Sequence, residues 1–281
     1  MTVVRRRILE HVVPGKPLGR NVHHDSRSRR YAFNTAGITL TSVRHARHVL
    51  AFDQGQIGSC TGQAGEGALA TDPFFATLPN ETFDEAAAVA LYSAATKLDD
   101  APGSYPPDDT GSSGLAVAQA LKAQGKVSGY QHTFTLADAL KALVVTPVIT
   151  GINWYSSMDE PSSSGLVAIT SDAYVRGGHE LALDEIDATN SLVWFTNSWG
   201  TSWGVDGRAS MSFSTFGRLL DEQGDVTVFT PITSPAPTPT PVPGADDVLA
   251  ARSRTWLKSW QASLSPTYAR AVKKWLSDTG R

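Results

Sequence analysis

Apolar and polar positions follow two different periods along this chain. In FDEAAAVALYSAATKLDD, 83–100, and LAVAQALKAQG, 115–125, apolar residues recur at helical spacing among good helix formers. Gly125 stands where the second of these helices is expected to stop. FTLADALKAL, 134–143, predicts a third helix, capped by Thr135 with Asp138 three residues on. TGQAGEGALATDPFF, 61–75, predicts a helix of small residues packed tightly inside a domain, although Gly62 and Gly65 weaken its first turn. GITLTSVRHARHVL, 37–50, predicts short extended pieces. After residue 143 the period shortens. VVTPVITGINWY, LVAITSD, HELALDEID, SLVWFTN and GRASMSF all predict strands with turns between them. Helices followed by strands indicate an α+β arrangement rather than repeated βαβ units.

The ends have a different texture. Residues 1–37 mix Pro, Gly, His and Arg with little periodicity and predict a basic N-terminal arm. PITSPAPTPTPVPG, 231–244, has six prolines and no charge, which predicts an extended linker. In 245–281, Trp256, Trp260 and Leu264, then Tyr268, Val272, Trp275 and Leu276, recur at helical spacing on either side of Ser265–Pro266. That predicts a C-terminal two-helix segment, with tryptophans suited to a protein partner. The expected organisation is therefore an arm (1–37), a main domain (38–230), a linker (231–244) and the two-helix segment (245–281).

Composition narrows the function. Of the 281 residues, 41% are hydrophobic, enough for a real core. The net charge of -3 divides into +6 for residues 1–30, +4 for 245–281 and -13 between them. An acidic body with basic ends disfavours nucleic acid as its specific ligand. One cysteine excludes a disulfide framework and a cysteine-rich metal site. Asp99, Asp100, Asp108 and Asp109 lack calcium-loop spacing, so neither metal nor cofactor is expected. No run of 18 apolar residues exists to span a membrane. The basic start is not followed by an apolar stretch, so a cleaved secretion signal is not expected.

The single Cys60 ends the loop DQGQIGSC, directly before a predicted helix whose N-terminal field favours a thiolate. Read alone, it is equally open to being a buried inert thiol. Gln54 lies six residues upstream with glycines between, so its amide can return toward Cys60 as an oxyanion donor. His179 opens a strand after Gly177–Gly178, and Asn197 ends the next one. With the turn centred on 188–189, an antiparallel hairpin has an index sum of 376 or 377, which makes His179 and Asn197 cross-strand neighbours within the slack of a bulge. Asn197 would then fix one ring nitrogen and leave the other for Cys60. A plain strand-edge histidine is the alternative.

The strings DQGQIGSCTGQA, RGGHELAL and NSWGTSWGVDG resemble papain-like cysteine peptidases over roughly residues 38–230. The resemblance implies a two-subdomain fold, a helical half with the nucleophile against an antiparallel β-barrel-like half with the His and Asn. It implies Cys60 as nucleophile, His179 as base, Asn197 as its orienter, Gln54 as oxyanion donor and Trp199 as the indole shielding the Asn–His hydrogen bond. It also implies a polypeptide substrate lying along Gly111 and Ser112 of TGSSG, with Gly178 and Glu180 lining the cleft. A carboxylate at 180 could favour a basic side chain.

The sequence departs from the family in having Thr61 after the nucleophile and Ile57 where a disulfide cysteine is usual. In place of the family's long helical propeptide, VPGKPLGRNVHHDSRSRRY resembles the short leader of bacterial and phage members. The expected location is cytoplasmic or virion-associated. A structural or assembly protein, as of a phage particle, and an acyl-transfer enzyme stand as alternatives to hydrolysis.

Overall fold

The structure is a computed structural model, and it describes residues 3–8 and 10–232. The linker beyond residue 232 and the expected two-helix segment 245–281 lie outside the described residues. The first half of the chain gives β1 (Val3–Arg6), β2 (Val22–Asp25), β3 (Val43–Arg44), α1 (Cys60–Leu69), α2 (Phe74–Thr77), α3 (Glu85–Thr96) and α4 (Gly114–Ala123). The second gives β4 (Gly129–Thr133), α5 (Leu136–Val145), β5 (Val148–Tyr155), β6 (Val175–Asp187), β7 (Leu192–Thr196), β8 (Arg208–Ser212), α6 (Phe213–Asp221) and β9 (Asp225–Thr230).

The helices start where side chains can replace missing backbone acceptors. Asp84 Oδ1 accepts from Ala87 N at 2.8 Å, and Ser113 Oγ from Ala116 N at 3.3 Å. Thr135 Oγ1 accepts from Asp138 N at 3.1 Å, as the Thr–Asp spacing predicts. Gly125, with φ +70°, follows α4 and lets its N–H return to the Lys122 carbonyl. Helix α1 is buried along its whole length. Its glycines explain how. A Cβ on Gly62 would strike the Ala88 carbonyl of α3, and one on Gly65 would come within 2.6 Å of Val117 on α4. The weak helix propensity of these residues is exchanged for close approach of two neighbouring helices.

The β-barrel-like half expected from the sequence is not formed. Seven of the strands make an antiparallel sheet in the order β4-β9-β5-β6-β7-β8, with β3 added along β6, while β1 and β2 pair separately. Its ends, β4 and β8, do not pair with each other, so the sheet stays open. The reason lies in what covers it. Helix α6 follows β8 directly and packs with α5, so Leu140, Leu143, Phe216 and Leu219 close the core over Ile152, Leu183, Phe195 and Val228. A second core joins α1 and α4 to the opposite side chains of β5 and β9, Ile149 and Phe229. With helices on both sides, burial does not require the sheet to curl onto itself.

Other boundaries also differ. LVAITSD forms only an isolated bridge, Leu166 to Ser210, and Val144–Val145 complete α5 rather than starting a strand. The sequence reading omitted β4, β9 and α6. Among the described residues, no helix is long and apolar enough to cross a membrane.

Candidate active site

Cys60 is the first residue of α1 and is fully buried. The backbone N–H groups of Glu180 and Thr61 hydrogen-bond its sulfur, which places it beside the strand that carries His179. Burial pushes the thiol well above its ordinary range. The Glu180 N–H pulls the other way, and the Glu180 carboxylate adds to the rise. Gln54 is buried next to the same loop. Its Nε2 donates to the Ile57 carbonyl at 2.8 Å, and its Oε1 accepts from the Ser198 hydroxyl. One amide hydrogen of Gln54 is thus engaged and one is left.

His179 and Asn197 meet, although not in the register that the turn suggested. Asp187 pairs with Leu192 and, beyond an irregularity at Leu183–Glu185, Ala182 pairs with Thr196. The index sum is 379 at the turn and 378 beyond it, so the position opposite Asn197 is 181. His179 lies two residues further along, on the same face of β6. The side chains span that diagonal: His179 Nε2 is 2.7 Å from Asn197 Oδ1. Asn197 Oδ1 also accepts from Ser198 N at 2.8 Å, which identifies it as the oxygen. Nε2 must therefore carry the proton, and Nδ1 is the unprotonated nitrogen. Nδ1 is buried and without a hydrogen-bond partner.

Trp199 stacks on the His179 ring at 5.0 Å and 20°, and Trp154 meets the same ring edge-on at 5.0 Å. Burial lowers the imidazole to about 3, against the lift from Asn197, and the Arg176 charge lowers it further.

The N-terminal arm runs through the cleft between these elements. Gly19 N and Arg20 N both donate to the Gly178 carbonyl, at 3.1 and 2.9 Å. On the other side Ser112 N donates to the Gly19 carbonyl at 2.8 Å, and Asn21 N to the Ser112 carbonyl at 2.6 Å. The arm thus lies as an extended segment between 111–112 and 177–178, with a parallel bridge from Arg20 to Ser112. A Cβ on Gly19 would strike the Gly58 backbone two residues before Cys60, and one on Gly111 would strike the Gly19 carbonyl. Only glycines permit so close an approach. Pro17 accepts from Trp199 Nε1 at 3.2 Å, and Leu18 is buried against Gly177. Residues 17–21 of the N-terminal arm thus pack into the main domain.

Gly111, Ser112 and Gly178 all lie against the arm segment 19–21. Glu180 does not face solvent; it is 1% exposed. The four loop aspartates are engaged by the protein in different ways. Asp109 bridges Gly58 N and the Tyr92 hydroxyl, Asp99 accepts from Ser112 Oγ, Asp100 pairs with Arg5, and the Asp108 carbonyl accepts from Thr110 N.

Helical elements bearing a buried cysteine, set against an open antiparallel sheet bearing a His–Asn pair, match solved structures across most of the chain. Xylellain, a cysteine protease from Xylella fastidiosa, superposes with a TM-score of 0.62 at 17% identity, covering 82% of this chain and 100% of its own. The chain has the papain-like cysteine-protease fold. A procathepsin B from Trypanosoma congolense (TM-score 0.55, 10% identity, 78% of this chain and 88% of its own) shares it. So does procathepsin L 3 from the larval midgut of Tenebrio molitor (0.53, 15%, 77% and 76%). No family model matches the sequence, and no curated protein matches it.

Sequence reasoning missed Arg20, Arg176 and Asp225 at this site. Arg176 is buried and ties the arm down through the His11 and Lys16 carbonyls while pairing with Asp159. Nothing in the local sequence marks a lone arginine in a Pro/Gly-rich arm or an aspartate opening a strand.

Proposed function

We propose that this protein is a cysteine peptidase that hydrolyses polypeptides through a thioester. The observation that carries the reading is the orientation of His179. Its Nε2–H is held by Asn197 Oδ1 at 2.7 Å, and its buried Nδ1 is left as an unpartnered base on the strand whose next N–H touches the Cys60 sulfur. In this reading Nδ1 takes the thiol proton and the thiolate adds to the carbonyl carbon of the substrate. The oxyanion is met by the second amide hydrogen of Gln54 and the N–H of Cys60 at the start of α1. The imidazolium returns the proton to the departing amine, leaving a thioester. Water, deprotonated by Nδ1, attacks the thioester, and the proton passes back to the sulfur. Trp199 keeps water from the Asn197–His179 hydrogen bond, which strengthens it.

With the arm in the cleft, burial favours the neutral thiol–imidazole pair. This is a closed form, and residues 17–21 must leave the groove before substrate enters it. The test is hydrolysis of a mixed fluorogenic peptide pool by the intact chain, Cys60→Ala and Asn197→Ala. Cys60→Ala abolishes turnover. Asn197→Ala lowers kcat with little change in KM, by roughly 5- to 150-fold for about 1–3 kcal/mol of one oriented hydrogen bond. Turnover surviving in Cys60→Ala removes the reading.

A further inference from the structure

Strand β6 buries two carboxylates beyond His179. Glu180 belongs to the groove: with Asp225, Gly114 and Gly151 it encloses the fully buried guanidinium of Arg20 from the arm. Asp184 lies elsewhere and is 2% exposed. Leu183 pairs with Phe195 and Glu185 with Trp194, so Asp184 between them has no partner of its own on β7. It is the extra residue of a β-bulge.

A bulge changes which side chains share a face. Side chains alternate along a strand, so one inserted residue moves everything beyond it to the other face. Ile186 and Leu183 show the effect. They are an odd three positions apart, yet both are buried in one core with their partners Val193 and Phe195. The same shift decides the candidate site. Next to the turn the index sum is 379. Continued without an extra residue, that register sets Asn197 opposite Ala182. His179 is three positions from Ala182 and would point away from Asn197. Beyond Asp184 the sum is 378, which sets Asn197 opposite Leu181. His179 is two positions from Leu181, on the same face. The 2.7 Å contact of Nε2 with Asn197 Oδ1 follows from that shift.

The side chain of Asp184 fastens the bulge. Its Oδ2 accepts from Thr196 Oγ1 at 2.7 Å, and its Oδ1 from Arg208 Nη2 at 2.6 Å. Its backbone carbonyl accepts from His45 N at 2.9 Å. Thr196 and Arg208 are opposite each other on β7 and β8. Beside them Asn197 N donates to the Gly207 carbonyl at 2.9 Å. One carboxylate therefore grips both residues that flank the backbone hydrogen bond of Asn197. It does so from the face of the sheet opposite the imidazole, because Thr196 and Asn197 point to opposite sides. The Arg208 bond is charge-assisted and the carboxylate is buried, which makes this a strong attachment.

We propose that Asp184 is a positioning residue for the His179–Asn197 pair, holding the bulge whose register brings the two onto one face. The proposal rests on the peptidase reading for its effect on turnover, and on geometry alone for its effect at the imidazole. A buried ion pair that only stabilises the fold would lower the melting temperature when broken and leave the ring tautomer as it is.

Two measurements test it. The first needs no catalysis: 15N–1H NMR reads the ring nitrogens at pH 7, with the His179 signals identified by their absence in His179→Gln. In the unaltered chain Nε2 carries the proton and exchanges it slowly. In Asp184→Ala that signal is lost or gives way to the Nδ1–H tautomer. Asp184→Asn, which keeps an acceptor oxygen at the bulge, retains it. Thr196→Val, of the same shape without the hydroxyl, carries the comparison if Asp184→Ala does not fold. The second measures kcat and KM on a mixed fluorogenic peptide pool. Asp184→Ala lowers kcat at least tenfold with little change in KM, and Asp184→Asn recovers most of the loss. An unchanged Nε2–H signal in Asp184→Ala overturns the proposal whatever the melting temperature does, and so does an unchanged kcat. Either result leaves the peptidase reading standing. Loss of the signal in Asp184→Ala, when the unaltered chain hydrolyses no peptide, overturns the peptidase reading and leaves the positioning role.

Discussion

At the scale of single residues, the site shows how strongly burial controls protonation. Cys60 and His179 are each moved by burial toward their neutral forms, the thiol upward and the imidazole down to about 3. The helix N-terminus that leads one to expect a thiolate is outweighed while the arm excludes water. Alkylation of Cys60 by iodoacetamide at pH 6 is therefore slow in the intact chain and at least tenfold faster in Arg20→Ala, as read by mass spectrometry. Equal rates would show that the arm does not control the thiol.

Glu66 on α1 is a second buried acid, raised by burial to about 7 despite Lys126 at 3.7 Å. Between 4.5, its ordinary value, and about 7 the folded chain holds a proton that the unfolded chain releases. Its contribution therefore falls as pH rises through that window, by about 3 kcal/mol in all. Glu66→Gln should raise the melting temperature by several degrees at pH 8 and leave it nearly unchanged at pH 4.5.

Among the elements, the contact that matters most for the site joins α3 to two loops. The Tyr92 hydroxyl donates to Asp109 Oδ1 at 2.5 Å and accepts from Gly111 N at 2.9 Å. Asp109 Oδ2 accepts from Gly58 N at 2.8 Å. One tyrosine and one carboxylate thus tie the loop before Cys60 to the 110–112 wall of the groove. A chain with a single cysteine holds these segments by hydrogen bonds, with no covalent link available between them. Tyr92→Phe leaves the buried Gly111 N–H without its acceptor and removes the hydroxyl that holds the Asp109 carboxylate, at about 1–3 kcal/mol. A melting temperature several degrees lower, together with a raised KM, is the expected outcome. A melting temperature equal to that of the unaltered chain would dismiss the brace.

On the scale of the whole molecule, the arm and the main domain form one closed unit across the described residues. The segment that occupies the groove is flanked by β1 and β2, which pair with each other, and by an exposed 3₁₀ turn, Ser26–Tyr31. That turn carries Arg27, Arg29 and Arg30 in solvent, the side chains trypsin requires. Limited trypsin treatment should cut there first, because exposed turns open more readily than packed strands. Peptidase activity should then rise as residues 3–25 dissociate on dilution. Mass spectrometry locates the cut, and a nicked sample with unchanged activity after dilution would show that the arm does not block the groove.

Local pattern determined a good deal here. Helical spacing placed α3, α4 and α5, and Thr135 and Gly125 marked two of their ends, because caps and periodicity act over a few neighbouring residues. Alternation placed β6, β7 and β8, and it was also present in DVTVFT and as Phe213, Phe216 and Leu219, so β9 and α6 were legible but unread. Cys60, Gln54, His179 and Asn197 follow from motif and residue chemistry, but folding brings His179 onto Asn197 by a diagonal of two residues, where the index sum sets them directly opposite. The open sheet could not be read from the chain, because closure depends on whether α5 and α6 or the far edge strand covers the core. Nor could the site of Arg20. Its pocket is assembled from residues 114, 151, 180 and 225, each unremarkable in its own stretch. Only long-range packing sets two carboxylates and two missing side chains around one guanidinium.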